Sequence, residues 1–191
     1  MPVIEQALEQ ACLSLKDINL ITCDIGPGSF TGIRIGIGTV LAFRDSLNID
    51  CIGISSLEAL AYNVSNNGLI CSLIDAKNNN VYFGLFERQD DELHIIGNFE
   101  FKTIDDVISL FKSKIPSITF VGDGAVLYKE LLQENFPNCN FASKNNLSSF
   151  SLGLAGLYNY KKGIKTSLIP LYLRKSQAER ALEEKNKSTI S

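Results

Sequence analysis

The chain has 191 residues, 45% hydrophobic and 20% charged, the balance of one large globular domain or two small ones. A net charge of -3 leaves no global basic field to attract nucleic acid, and the apolar runs fall far short of the roughly 20 residues of a membrane span. Met1-Pro2-Val3-Ile4-Glu5 leads into a charged helix rather than a secretory signal, so a cytoplasmic protein is expected.

A helix is predicted over Pro2–Leu15, with Val3, Ile4, Ala7, Leu8, Ala11, Cys12 and Leu15 on its apolar face. Leu20–Ile25 reads as a strand, and the segment Gly26-Pro27-Gly28-Ser29-Phe30-Thr31-Gly32 turns the chain into a helix from about Thr31 to Leu47. Asp50–Ile54 is a strand, and Ser55-Ser56-Leu57-Glu58 is a capping box opening a helix to about Val64, ended by Asn66-Asn67-Gly68. Strands Leu69–Ala76 and Val81–Glu87 flank a Lys77–Asn80 hairpin turn, and Glu92–Phe101 is a third strand. A helix capped by Thr103 runs to Lys114, Ile118–Gly122 is a strand, and Asp123 caps a helix to about Asn135. Asn138–Ala142 is a short strand, Ser148–Lys161 a helix, and Lys165–Lys187 a tail.

The glycine-rich turn has three readings: an anion cradle, a tight structural turn or the start of a docking surface. It lacks the third glycine of a dinucleotide fingerprint, since position 31 is Thr31, and no Gly-Lys-Ser/Thr follows as in a phosphate loop. Gly32 and Gly36 share one helix face with Thr39 or Val40, and Gly38 and Ala42 are also small. A helix-interior glycine costs about 0.8–1 kcal/mol relative to alanine. The compensation is close approach by another helix, from a partner or from within the chain. Arg34, between the glycines, is placed to bond a partner carboxylate or to remain solvated.

Other chemistry is sparse. His94 is the single histidine and sits on a predicted strand surface, which excludes every mechanism needing two histidines. The five cysteines form no C-x-x-C pair and read as buried, reduced thiols. Asp24 and Asp75 end strands, but no spacing argument brings them together as a metal pair. Gly122-Asp123-Gly124 follows a strand, either as a helix cap or as a loop beside a nucleoside. Lys161-Lys162-Gly163-Ile164-Lys165 is a small basic helix end.

Residues 69–161 read strand, strand, strand, helix, strand, helix, strand, helix, a complete ribonuclease-H-like order. Residues 2–65 read as the same order without its three leading strands. The fold class expected is therefore α/β, a duplicated actin-like ATPase (ribonuclease-H-like) fold whose first lobe lacks those strands. The division is an incomplete lobe over 1–66, a complete lobe over 67–164 and a tail over 165–191. Roughly 30–40 residues are expected to be missing ahead of Met1, and the open sheet edge this leaves favours aggregation or a swapped homodimer.

Gly26–Gly36, Ser55–Leu60, Asp75-Ala76 with Val81-Tyr82, Val121–Ala125 and Pro170–Glu179 together resemble the TsaB (YeaZ) family, over nearly the whole chain. The resemblance implies a two-lobed fold of the glycoprotease (peptidase M22) group. It implies a non-catalytic accessory subunit, not an enzyme, for threonylcarbamoyl transfer to adenosine 37 of tRNA. A TsaD-like catalytic subunit and a TsaE-like ATPase are the implied partners, with tRNA reached indirectly and no membrane contact. ATP and magnesium belong to the complex, with no cofactor or metal on this chain alone and no catalytic residue. The implied docking surface uses the first two long helices: Ile4, Leu8, Ser29, Thr31, Gly32, Arg34 and Gly36. Asp75, Asn78, Gly122 and Gly124 occupy the positions that approach nucleotide in actin-like ATPases. The competing reading is a stand-alone actin-like ATPase or M22-type peptidase; a third is a truncated product without function.

Overall fold

The computed structural model describes residues 2–90, 92–111 and 117–174. Two sheets organise it. The smaller holds β1 (Leu20–Asp24) and β2 (Asp50–Ile54) in parallel, Leu20 opposite Asp50 and Asp24 opposite Ile54. The connection between them is α2 (Phe30–Leu47), because parallel neighbours need a crossover. The larger sheet has the order β5-β4-β3-β6-β7, formed by β3 (Gly68–Asp75), β4 (Asn80–Gln89), β5 (Glu92–Thr103), β6 (Ile118–Val121) and β7 (Asn140–Phe141). Its β3, β4 and β5 form an antiparallel meander, while β6 and β7 add in parallel.

The β3–β4 turn shows why the asparagines are there. Lys77, Asn78 and Asn79 all have positive φ, 65°, 55° and 58°, a region asparagine tolerates better than most residues. Alternation then sorts the strands. Cys71, Leu73, Val81, Phe83 and Phe120 face α4 (Ile104–Phe111) and α6 (Lys129–Asn135). Ile70, Phe86 and Val121 face the opposite way, against Leu57 and Leu60 of α3 (Ser56–Ala61).

The small sheet is covered on both faces. Cys23 packs with Ile33, Ile37 and Val40 of α2. Thr22, one residue away and so on the other face, meets Gly156 of α7 (Ser149–Lys161), while Ile54 packs with Ala155. A helix late in the chain thus completes a layer around strands early in it.

Several boundaries differ from expectation. Helix α1 (Pro2–Gln10) stops well before Leu15. Cys12 takes φ 54°, with Cys12 N–H bonded to Glu9 O at 3.0 Å and Leu13 N–H to Leu8 O at 3.0 Å, a left-handed helix stop without glycine. Ser14 and Asp17 then bond each other, with Ser14 Oγ 2.6 Å from Asp17 Oδ2, around a short 3-10 turn, so Leu15 leaves the predicted helical face. Cys12 is exposed, unlike the expected buried thiol, whereas Cys23 and Cys71 are buried.

Helix α3 ends at Ala61 rather than near Val64, and Gly68, expected to stop it, opens β3. The Ser55 hydroxyl accepts from Glu58 N–H as expected, at 3.0 Å. The reciprocal half of the box is not made, because Glu58 turns inward to accept from Asn159 Nδ2 at 2.9 Å. The expected helix from Asp123 is two, α5 (Asp123–Leu127) and α6, parted at Tyr128, whose φ of -103° and ψ of 22° leave the helical basin. Asp123 is the first helical residue, not the cap. Strand β7 shrinks to two residues, and α4 ends at Phe111 among the described residues. The tail beyond 174, with its Lys175-Ser176-Gln177-Ala178-Glu179, lies outside the described residues.

Candidate functional site

The turn after β1 is built around Asp24. Its Oδ1 accepts from Gly26 N–H at 2.8 Å, and Ser56 Oγ donates to both carboxylate oxygens at 2.7 and 2.9 Å. Ser56 N–H bonds Gly26 O at 2.8 Å, fastening the turn to α3. The Gly26–Pro27 peptide is cis. Ser29 caps α2, its Oγ accepting from Gly32 N–H at 3.3 Å. Two donors that an anion would need are thus already used, and a carboxylate stands behind the turn. The segment serves a structural turn better than a phosphate cradle.

A groove of about 600 Å³ opens beside it. Val3 and Ile4 of α1 form one wall, Gly32, Ile33, Gly36 and Val40 of α2 the other, and Thr22 and Cys23 the floor. Of the residues expected at a docking surface, Ile4, Ser29, Gly32 and Gly36 line this groove. A Cβ on Gly36 would meet nothing within 4 Å, and the same holds at Gly38. Their small size is therefore not explained by packing inside the described chain. Leu8 is half-buried on α1, a helix with no buried residue, and Val3 is 78% exposed. Thr31 is exposed on the first turn of α2. Arg34 faces the tail: its Nε donates to Tyr172 Oη at 2.7 Å, and its guanidinium lies 5.6 Å from that ring.

The four residues placed near a nucleotide are only partly gathered. Asp75 and Asp123 line a recess of about 360 Å³ with Val126, Leu127, Asn145 and Asn146. Asp123 Oδ1 accepts from Asp75 N–H at 3.0 Å and Gly124 N–H at 2.8 Å, tying the start of α5 to the end of β3. Asp75 is bonded to its own hairpin, through Lys77 N–H at 2.9 Å and Lys77 Nζ at 2.5 Å. Burial pushes the Asp75 carboxyl upward, but the Lys77 contacts outweigh it and hold the group below its ordinary value. Gly122 has φ 112°, and a Cβ there would lie 2.1 Å from Leu73 O. A Cβ on Gly124 would lie 3.0 Å from the same carbonyl, so both glycines serve helix-on-strand contact. Asn78 does not line the recess; its carbonyl accepts from Asn80 Nδ2 at 2.7 Å within the hairpin. Among the described residues the recess is lined by two carboxylates and no cation, with Lys77 bonded to Asp75 beside it, an arrangement poorly suited to phosphate.

Sequence reasoning missed two clusters. One is buried: Glu58 bonded to Asn159, beside Tyr62, with Arg88 5.5 Å over the Tyr62 ring. Burial drives the Glu58 carboxyl above its ordinary pKa, against the opposing Asn159 bond. The other is the tail, where Tyr172 stacks on Phe30 at 4.5 Å. Only the aromatic and arginine content of Leu171-Tyr172-Leu173-Arg174 could have signalled it. His94, 52% exposed at its side chain, sits on the sheet surface as expected.

A family model described as "TsaD: tRNA N6-adenosine threonylcarbamoyltransferase" matches residues 1–182. The tRNA threonylcarbamoyladenosine biosynthesis protein TsaB of Bacillus subtilis is 29% identical over 183 residues, 94% of this chain and 80% of that protein. The chain belongs to this family, on its TsaB (YeaZ) branch. The TsaB of Buchnera aphidicola subsp. Schizaphis graminum is 34% identical over 142 residues, 71% of this chain and 65% of that protein. A crystal structure of a Pseudomonas aeruginosa protein with similarity to peptidase YEAZ superposes with a TM-score of 0.74 at 24% identity, covering 91% of this chain and 82% of that one. That likeness establishes the fold: α/β with mixed sheets, of the actin-like ATPase kind found in the TsaB family. Among the described residues no helix is long and apolar enough to cross a membrane.

Proposed function

We propose that this TsaB-family chain serves tRNA threonylcarbamoyladenosine biosynthesis as a non-catalytic accessory subunit that docks a TsaD-like catalytic partner. The observation that carries the docking reading is the α1–α2 groove. It is flanked by a helix that buries nothing and by Gly36, whose Cβ position faces open space. A partner helix entering it would approach the α2 backbone closely and cover Val3 and Ile4. The family names support the pathway, and the clash-free setting of Gly36 makes the groove testable.

On this reading the chain folds as two lobes, over 1–66 and 67–164, with a tail over 165–191. ATP and magnesium act in the complex with a TsaE-like ATPase, tRNA is met through the partner, and the same groove is available to a second copy in a homodimer. Gly36→Leu is the test, because its Cβ meets nothing within 4 Å and the rest of the side chain projects into the groove. Co-purification with the TsaD-like partner is expected to be lost while the melting temperature does not fall, since leucine is the better helix former. Undiminished co-purification would sink the groove as the interface. Titration of the isolated chain with ATP and magnesium separates this from a stand-alone ATPase; micromolar binding would count against it.

A further inference from the structure

The tail touches nearly every element that surrounds the docking turn. Thr166 Oγ1 donates to Gly53 O of β2, and Leu168 packs against the cluster beneath α2. Leu171 N–H bonds Ile25 O at 2.8 Å, immediately before the glycine-rich turn. The Tyr172 ring then stacks on Phe30, the first residue of α2, with centroids 4.5 Å apart and planes 13° from parallel. Its hydroxyl accepts from Arg34 Nε at 2.7 Å. Leu173 packs on the cluster shared by α3 and the large sheet. Arg174 Nη1 donates to Ala76 O at 3.0 Å, and its guanidinium sits 4.7 Å from the Phe101 ring centroid.

Residues 165–174 form no regular secondary structure, so side chains hold this segment at chosen points. Tyr172 grips the first turn of α2, whereas Arg174 anchors to the large sheet. We infer that this segment is a strap that positions the first turn of α2 for docking, with Tyr172 and Arg174 as positioning residues. The inference rests on the reading that α2 meets a partner, but the strap itself is measurable without one. Stacking and a charge-assisted hydrogen bond at one residue suffice to slow opening of a helix start about tenfold.

Amide exchange of the isolated full chain provides the test. Tyr172→Ala and Arg174→Ala are each expected to speed exchange over residues 28–36 about tenfold while β3 and β4 stay unchanged. Tyr172→Phe keeps the stack and loses only the Arg34 bond, so it gives a smaller increase at an unchanged melting temperature, with weaker affinity for the TsaD-like partner. Unchanged exchange over 28–36 in both alanine variants would overturn the strap. Faster exchange with undiminished partner affinity would overturn its positioning role. Wild-type chain that fails to bind the partner while Tyr172→Ala still loosens 28–36 would support the strap and defeat the docking reading instead.

Discussion

Glu58 is a carboxyl in the wrong solvent. It is 8% exposed, and among the described residues its side-chain hydrogen bond comes from the neutral Asn159 amide rather than a cation. Burial raises its folded-state pKa above the unfolded value. The stabilising contribution is therefore complete below a free glutamate's pKa of about 4.3 and is lost as pH rises through the folded value. Glu58→Gln keeps the oxygen that accepts from Asn159 and removes the buried charge. Its melting temperature is expected to exceed wild type near neutral pH, with a smaller difference near pH 4. Equal gains at both values would show that Glu58 ionisation is not the cause. Gly122 carries the opposite kind of sensitivity. Alanine there combines a left-handed backbone with a Cβ driven into Leu73 O, so Gly122→Ala is expected to cost about 3 kcal/mol in urea unfolding.

Among the α-helices of the described residues, α1 stands apart because it buries no side chain. A free helix of nine residues is marginal in water, and packing supplies most helix stability in proteins. Amides of residues 3–10 are expected to exchange fast in the free chain and to gain protection when the TsaD-like partner is added. Protection already present without partner would mean that α1 is held by this chain alone. Helix α7 behaves differently, since Gly156 sits where a Cβ would reach 2.1 Å from Thr22 Oγ1. Gly156→Ala forces α7 away from the small sheet and is expected to lower the melting temperature, with increased exchange in β1 before β4.

For the whole molecule, α3 and α7 join the two sheets. Leu57 and Leu60 are buried against the large sheet, while Ala59 and Ala155 share a cluster with Ile54 of the small one. Leu57→Ala is expected to destabilise by about 2–5 kcal/mol and to shift the unfolding of both sheets together in urea. Separate transitions for the two sheets would show that this junction does not couple them. The order of elements along the chain and the hairpin were legible because they depend on local chemistry. Short, nearly continuous apolar runs mark β3 and β4, and a run of asparagines supplies their positive-φ turn. The row of small residues on α2 was legible too, and Gly32 and Gly36 of that row line the groove. What hid the rest was distance along the chain. Nothing near Ser55 shows that Glu58 bonds a residue of α7, and nothing near Phe30 shows that Tyr172 stacks on it.

The sequence by itself determined the α/β element order, the cap at Ser55, the small residues of α2 and the resemblance to the TsaB family, since each follows from local periodicity, backbone permissiveness or motif. Only the tertiary structure decided where α1 stops, that α7 covers the small sheet, that Asp75 is occupied by Lys77, and that the tail grips α2. Those outcomes depend on contacts between residues far apart in the chain, where burial and competing hydrogen-bond partners outweigh local preference.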